Sequence, residues 1–152
     1  MTSTIDPADR AAIVDLLYGY AWHFDRNEPE SVATLFTDDA VIDYGPEFPN
    51  IVGRDRIVAS IEPGLTNLFS SSAHHITNMM IRSDGPDSAS GVAYVYAWHT
   101  YRSSGEDGEM WGQYHCRFRR TSGGWKIAEF VLKVAGMKNF HRSTMHPIGR
   151  RP

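Results

Sequence analysis

Proton transfer at carbon needs a base and a group that orients it, and three residues of this 152-residue chain have suitable side chains. Asp25 falls near the end of an N-terminal stretch with helical periodicity, whereas His74 and His99 fall on segments that alternate like β-strands. A neutral imidazole is a competent base at physiological pH, and a neighbouring carboxylate can fix its tautomer and stabilise the imidazolium. We therefore predict that Asp25, His74 and His99 form a catalytic site that needs no cofactor, provided that the fold brings them together.

Composition excludes several other classes of function. The formal net charge is −3 at pH 7 and the basic residues are scattered, which predicts binding neither to nucleic acid nor to a membrane. No His-x-x-x-His pattern or paired cysteines occur, and adjacent histidines on a strand point to opposite faces, so no metal site is expected. Cys116 is the single cysteine and no signal peptide is visible, so we predict a cytoplasmic protein.

The N-terminal segment has the pattern of an amphipathic helix. Asp6 and Pro7 are suited to a helix start, because aspartate can cap the first backbone N–H groups and proline fits the first helical position. The predicted helix ends near Asp25. Its inner face consists of apolar residues that recur at helical spacing: Ile13, Leu16, Leu17, Tyr20 and Phe24.

Shorter elements are predicted before the chain turns to long strands. A second helix begins at Pro29 and has Val32, Leu35 and Phe36 on its inner face. The segment 37–39 is interpreted as a turn, followed by strands at 40–44 and 51–52. A third helix opens at 53–55 and is expected to end near 63–64.

Beyond residue 71 the apolar residues recur with a period of two. This pattern predicts four long strands, at about 72–82, 88–102, 110–121 and 125–135, with short turns between them. Short turns imply an antiparallel meander, and helices followed by strands imply an α+β domain with a curved sheet wrapped around the N-terminal helices. We predict a domain over 1–136 and a tail over 137–152, which lacks a clear period and is suited to packing on a neighbouring subunit.

Alternation along the strands predicts which side chains share a face. It groups His74 with Asn78 on one strand, and it assigns His99 and Tyr114 to the corresponding face of the next two strands. Gly112 belongs to the same face and leaves room either for a ligand or for close backbone approach. We therefore place these side chains on the concave side of the sheet, on the assumption that no β-bulge interrupts the strands.

A set of motifs then resembles a known family. The motifs are Phe24-Asp25 at the helix end, Asp43-Tyr44-Gly45 at a strand end, His74-x-x-x-Asn78, His99 within a strand, and Gly123-Gly124-Trp125-Lys126-Ile127 in a hairpin. Together they resemble the SnoaL-like branch of the NTF2-like superfamily over residues 6–135. That resemblance implies a cone-shaped α+β barrel. Within the superfamily the chain looks most similar to scytalone dehydratase and hexachlorocyclohexane dehydrochlorinase, both cofactor-free lyases.

The resemblance also implies roles for single residues. Asp25 corresponds to the aspartate that orients the catalytic histidine, His74 to the general base, His99 to a second active-site histidine and Tyr44 to a substrate-binding tyrosine. Two departures concern the leaving group. Phe24 stands where scytalone dehydratase has a hydroxyl-bearing tyrosine, and Phe130 falls near the position at which the dehydrochlorinase has an arginine.

The remaining site residues follow from their chemistry. Tyr44, Asn78 and Tyr114 are candidates for hydrogen bonds to developing charge, and Tyr20 and Phe24 for the apolar wall of a substrate pocket. His99 is in addition a candidate for the acid that protonates a departing hydroxyl group. These five residues beside the catalytic three complete the predicted site.

We interpret the chain as a cofactor-independent lyase of dehydratase or dehydrohalogenase type that acts on a hydrophobic cyclic substrate. Two alternatives stay open: a non-catalytic ligand-binding or assembly module, akin to the small β subunit of ring-hydroxylating dioxygenases, and an isomerase or cyclase of polyketide or steroid type. An exposed aromatic face on the strands favours a homo-oligomer, either a dimer or a trimer.

Overall fold

The fold opens with helix α1 (Pro7–Asp25) in the computed structural model, which describes residues 4–152. The Asp6 carboxylate accepts hydrogen bonds from the backbone N–H groups of Ala8 and Asp9, the first at 2.8 Å, and Pro7 occupies the first helical turn. The predicted start, end and buried face of this helix are therefore confirmed. The buried face of this helix packs on the core and thereby orients its last residue, Asp25.

The region after α1 differs from the prediction. Helix α2 (Pro29–Ala33) is one turn shorter than expected, and strand β1 (Phe36–Asp43) includes the residues that were interpreted as a turn. Phe36 is buried and pairs in parallel with Ile127, which draws the chain into the sheet. The polar Asp38 and Asp39 misled the prediction because they lie at a register shift, where their side chains face solvent.

Strand β2 (Ile51–Val52) lies where a short strand was predicted, and it pairs antiparallel with β1. A short 3-10 turn then leads into helix α3 (Ile57–Pro63), which continues as a π-helical turn over Gly64–Leu68. The chain thus stays helical a few residues beyond the predicted end. This segment packs on the core and lies at the open end of the sheet. Its buried side chains are those of Ile57, Ile61 and Leu65.

Four long strands form most of the sheet: β3 (Phe69–Gly85), β4 (Ser88–Tyr101), β5 (Asp107–Thr121) and β6 (Gly124–Lys138). They pair antiparallel in chain order, as the predicted meander requires. Strand β1 adds parallel to β6, so the full order is β2-β1-β6-β5-β4-β3. The result is a curved, unclosed, mostly antiparallel sheet around the N-terminal helices, which is the α+β cone of the NTF2-like fold.

A β-bulge in β3 overturns one predicted grouping. The register with β4 shifts between Thr77 and Met80, and Asn78 adopts a left-handed backbone conformation with φ 49°. The extra residue reverses the alternation beyond this point. Asn78 and Met80 therefore face solvent, with Met80 75% exposed, whereas Met79 packs against the core. The prediction that Asn78 shares the face of His74 was wrong for this reason.

Of the two roles predicted for Gly112, room for a ligand or close backbone approach, the structure supports close backbone approach. A Cβ atom at this residue would lie 2.5 Å from the carbonyl oxygen of Lys133 on the neighbouring strand. The register of β5 and β6 also shifts at this point, between Trp111 and Gly112. Glycine therefore allows the two strands to stay paired through the bend of the sheet.

The C-terminal segment returns to the sheet of its own chain. Its short strand β7 (His146–Pro147) pairs in parallel with β6, and the His146 imidazole lies 2.9 Å from an oxygen of Asp43. Ser143 donates a hydrogen bond of 2.8 Å to Glu47. The segment is thus tied beside the open end of the sheet. None of the helices among residues 4–152 has the length and apolar character needed to cross a membrane.

Candidate active site

Asp25 and His74 meet where the end of α1 crosses β3. One carboxylate oxygen of Asp25 lies 2.6 Å from His74 Nδ1, and the other accepts the backbone N–H of His74 at 2.8 Å. Ser72 donates a third hydrogen bond, also 2.8 Å, to the first oxygen. An ionised carboxylate can only accept, so Nδ1 carries a proton and Nε2 of the neutral ring keeps its lone pair.

The contact explains why a carboxylate is tolerated at this helix end. A negative charge beside the negative end of a helix dipole is unfavourable by itself. Burial acts to raise the pKa of Asp25, but the hydrogen bonds from His74 and Ser72 and the nearby imidazole outweigh it, and the pKa lies below its ordinary value. Asp25 is therefore ionised at neutral pH and able to hold the imidazole in one tautomer.

The register of β3 and β4 brings the second histidine next to the first. His74 pairs with Ala97, and Ser72 pairs with His99, so the two histidines are diagonal neighbours on the concave face. Their ring centroids are 5.3 Å apart in an edge-to-face arrangement. Ala97 lies opposite His74 on β4, and its small side chain leaves room for the imidazole of His74.

A cavity of about 880 Å³ opens beside these rings, a size typical of small-molecule sites. Six of the eight residues predicted for the site line it: Tyr20, Phe24, Tyr44, His74, His99 and Tyr114. Asp25 does not line the cavity. Its carboxylate bonds to the imidazole of His74 and also accepts the hydrogen bond from Ser72. Asn78 does not line the cavity, because the bulge in β3 turns it to solvent.

Phenol groups form one wall of the cavity. The hydroxyl groups of Tyr20 and Tyr44 lie 2.9 Å apart, and the ring of Tyr114 packs edge-on against Tyr20 with centroids 5.6 Å apart. Burial raises the pKa of Tyr44 to about 12 and raises the pKa values of Tyr20 and Tyr114 well above their ordinary value. These groups are neutral hydrogen-bond donors at physiological pH. The Tyr20 ring also contacts His74 edge-on, which links the phenols to the base.

His99 lies deeper in the same wall. It is only 3% exposed, its ring stacks on Phe69 with centroids 4.3 Å apart, and its buried Nδ1 has no hydrogen-bond partner among the described residues. Burial, with a smaller contribution from His74, lowers the pKa of His99 to about 3. The ring is therefore neutral at physiological pH. It can donate one hydrogen bond to a ligand, but it carries no imidazolium proton to give to a departing hydroxyl.

The sequence analysis missed the C-terminal wall of the cavity. Phe140, His141 and Arg142 all line it, although these residues were assigned to a tail that was expected to pack on a neighbouring subunit. Arg142 lies over the rings of Tyr44 and Phe48, at 5.7 Å and 4.7 Å. The one signal in the sequence was an aromatic residue followed by two basic ones in an otherwise polar segment. Lacking periodicity, that signal gave no indication of where the segment folds.

The described residues contain no group of three or more His, Cys, Asp or Glu side chains arranged to hold a metal ion. An oriented imidazole faces a mostly apolar, phenol-lined space. The hydroxyl groups of the nearby Ser60 and Ser72 donate their hydrogen bonds to Arg56 and Asp25 rather than to the imidazole. Such an arrangement can remove a proton from a bound carbon acid.

A protein-family model matches most of the chain. It is the model of the SnoaL-like domain, and the match covers residues 7–131. The matched region includes Asp25, His74 and His99 but ends before the C-terminal wall. No curated protein matches the sequence.

Solved structures with the same fold include two from Novosphingobium aromaticivorans that are each 30% identical to this chain. A candidate scytalone dehydratase has a TM-score of 0.89, with 95% of this chain and 96% of that chain covered. A candidate aromatic ring hydroxylase has a TM-score of 0.82, with coverage of 89% and 95%. The hexachlorocyclohexane dehydrochlorinase LinA-type3 from Novosphingobium barchaimii is 18% identical, with a TM-score of 0.79 and coverage of 93% and 96%; this likeness concerns the fold alone.

Proposed function

The chain belongs to the SnoaL-like domain family, and from that premise we propose that it is a cofactor-independent lyase of dehydratase or dehydrohalogenase type. The observation that carries the proposal is the 2.6 Å contact between Asp25 and the imidazole of His74, in the wall of an apolar cavity. The name of one relative that is 30% identical, a candidate scytalone dehydratase, denotes an elimination reaction. A hydrophobic cyclic molecule is the substrate class that suits a cavity of this lining.

In the proposed mechanism His74 is the general base. Its Nε2 removes a proton from a carbon of the bound ring, while Asp25 holds the Nδ1 proton and stabilises the imidazolium as it forms. The side chain of His74 is only 5% exposed, so solvent competes little for the base. A positioned base of this kind contributes about 10²–10⁴-fold to the rate.

The rest of the rate enhancement is assigned to orientation and to hydrogen bonds that strengthen as charge develops on the substrate. The neutral phenols of Tyr20, Tyr44 and Tyr114 are the proposed donors, because their raised pKa values keep the protons in place. His99 is proposed as a further neutral donor. Phe24 packs on the His74 ring, with centroids 4.9 Å apart, and contributes to its placement.

One observation favours a second candidate, an isomerase or cyclase that acts on an enolisable ketone. Loss of hydroxide needs an acid, yet the lowered pKa of His99 removes the imidazolium that was expected to serve as one. Isomerisation uses the same base and has no leaving group to protonate. Elimination by this site instead requires a phenol as the acid or a leaving group, such as chloride, that departs without a proton.

Product analysis tests the proposal. The purified protein is incubated in D₂O with a panel of hydroxylated bicyclic ketones, including scytalone, and with hexachlorocyclohexane. Elimination gives a product lighter by water or hydrogen chloride, whereas isomerisation gives one of the same composition with deuterium on carbon. We expect an elimination product, and we expect the variant His74→Gln to form it about 10²–10⁴-fold more slowly.

The neighbouring His75 provides the matched control. It is exposed, its ring packs against Tyr96 on the outer face, and the variant His75→Gln is expected to keep the activity of the wild type. Equal rates for His74→Gln and wild type would exclude His74 as the base. If the wild type binds members of the panel without converting any of them, the protein is a non-catalytic ligand-binding module rather than a lyase.

A further inference from the structure

Two arginines of the described residues line the cavity: Arg56 is exposed, whereas Arg142 is partly buried. The Nη1 of Arg142 is buried and has no hydrogen-bond partner among residues 4–152. Its guanidinium is half-buried against Tyr44 and Phe48, and no carboxylate of the described residues lies within ion-pair distance. The nearby Glu47 accepts hydrogen bonds from Ser143 instead.

Six other arginines lie within ion-pair distance of a carboxylate: Arg26, Arg54, Arg82, Arg117, Arg119 and Arg120. Five of these six are exposed, and Arg54 is partly buried. Burial lowers the pKa of the Arg142 guanidinium. A charge that is partly removed from water is expected to have a partner, because an unpaired buried charge is strongly unfavourable.

We propose that Arg142 binds an anionic oxygen of the substrate, so that the substrates of this site are hydrophobic rings that carry a carboxylate or an ionised phenol. The inference rests on the proposed function, because it takes the cavity to be the substrate site. Guanidinium groups bind such oxygens through short, charge-assisted hydrogen bonds, and their flat faces stack on aromatic rings as the Arg142 face stacks here.

Along the cavity wall, two tyrosines lie between Arg142, which is the proposed anchor of the substrate, and His74, which is the proposed base. His74 touches the ring of Tyr20, the Tyr20 hydroxyl bonds to that of Tyr44, and Arg142 lies over Tyr44. A ring held by its anionic oxygen at Arg142 therefore lies along the two phenols, with another of its atoms directed to His74. The same two phenols can donate hydrogen bonds to the ring substituents between the two ends.

Binding of paired probes by titration calorimetry tests the inference. One pair is naphthoate and its neutral analogue naphthamide; the other is para-nitrophenol above and below the pH at which it ionises. We expect the wild type to bind the anionic member of at least one pair about tenfold or more tightly, as one charge-assisted hydrogen bond implies. The pair that shows the preference identifies whether the oxygen belongs to a carboxylate or a phenol.

Three variants complete the test. Arg142→Gln is expected to remove the preference and Arg142→Lys to keep part of it, whereas Arg150→Gln, an exposed arginine of the same C-terminal segment, is expected to keep all of it. Melting temperatures and circular dichroism show whether each variant is folded. A preference that survives in folded Arg142→Gln, or a wild type that binds both members of both pairs equally, overturns the inference.

The outcome is separable from that of the lyase proposal. His74→Gln is expected to keep the preference for anionic probes, because the base does not touch the anionic group. Absence of turnover on the panel counts against the lyase, and absence of the anion preference counts against the role of Arg142.

Discussion

The two ends of the cavity differ in how their polar groups are paired. At the base end, Asp25 and the imidazole of His74 are joined by short hydrogen bonds, and Ser72 supports the carboxylate. At the C-terminal end, Arg142 faces the same cavity, and its buried Nη1 has no partner among the described residues. The protein therefore preorganises the base, whereas the guanidinium of Arg142 remains available to bind a ligand.

The difference follows from the way each end is built. His74 belongs to a long strand with neighbours on one side and a helix end packed against it, so its position is determined by many backbone hydrogen bonds. The C-terminal segment between β6 and β7 has no such ladder and is held by a few contacts near the surface. Groups held in place before the substrate arrives are suited to catalysis.

The largest effect is expected at the base end. We expect Asp25→Asn to lower kcat on a converted substrate by about 10³–10⁴-fold, because asparagine cannot stabilise the imidazolium and permits the wrong tautomer. The fold is retained, since the amide oxygen can still accept the backbone N–H of His74. Steady-state kinetics and the melting temperature measure the two properties.

Ser72→Ala is the matched control for Asp25→Asn. It removes one of the three hydrogen bonds to the carboxylate and leaves the contact with His74, so a reduction of only about tenfold or less is expected. Comparable losses in both variants would mean that the pair depends on its surroundings rather than on the charge of Asp25.

A second prediction concerns His99 and the pH dependence of stability. Burial lowers the pKa of His99 from 6.5 to about 3, so between these values the unfolded chain binds a proton that the folded chain does not. Stability is therefore lost as the pH falls from about 6.5 towards about 3, with His99 contributing a slope of about 1.4 kcal/mol per pH unit. Urea unfolding at several pH values in this range measures the slope.

The variant His99→Leu isolates that contribution. Leucine cannot take up a proton in either state, so the slope of unfolding free energy against pH should be smaller by about 1.4 kcal/mol per unit than in the wild type. The contributions of histidines that do not interact with His99 cancel in the difference, whereas His74 and His141 are coupled to it. Equal slopes would show that His99 ionises in the folded protein and can serve as an acid after all.

The smallest effect is expected where the C-terminal segment is tied to β1. Asp43→Asn weakens the 2.9 Å contact with His146, which is partly exposed and is expected to contribute about 1 kcal/mol or less. Amide hydrogen exchange should quicken in residues 140–148 while β3 and β4 are unchanged. Asp84→Asn, which weakens a surface ion pair with Arg82, is the control; faster exchange in 140–148 of that variant would contradict a local tie.

Periodicity and turn residues predicted much of the fold. The limits of α1 and the meander of four strands followed from local patterns, because a helix or a half-buried strand must repeat its apolar residues at the period of its own backbone. The same alternation placed His99 and Tyr114 on the face that they occupy. The bulge at Asn78 was not predictable in this way, since one extra residue leaves no mark in the composition of a strand.

The amino-acid sequence alone shows which functional groups are available: a carboxylate, two imidazoles and several phenols. The periodicity of each element also shows which of its side chains share a face. Only the tertiary structure decided that Asp25 bonds to His74, that burial holds His99 neutral, and that Arg142 joins the site from the chain's far end. Such outcomes depend on distances between residues remote in the chain and on their removal from water. Neither quantity is expressed in any local pattern of residues.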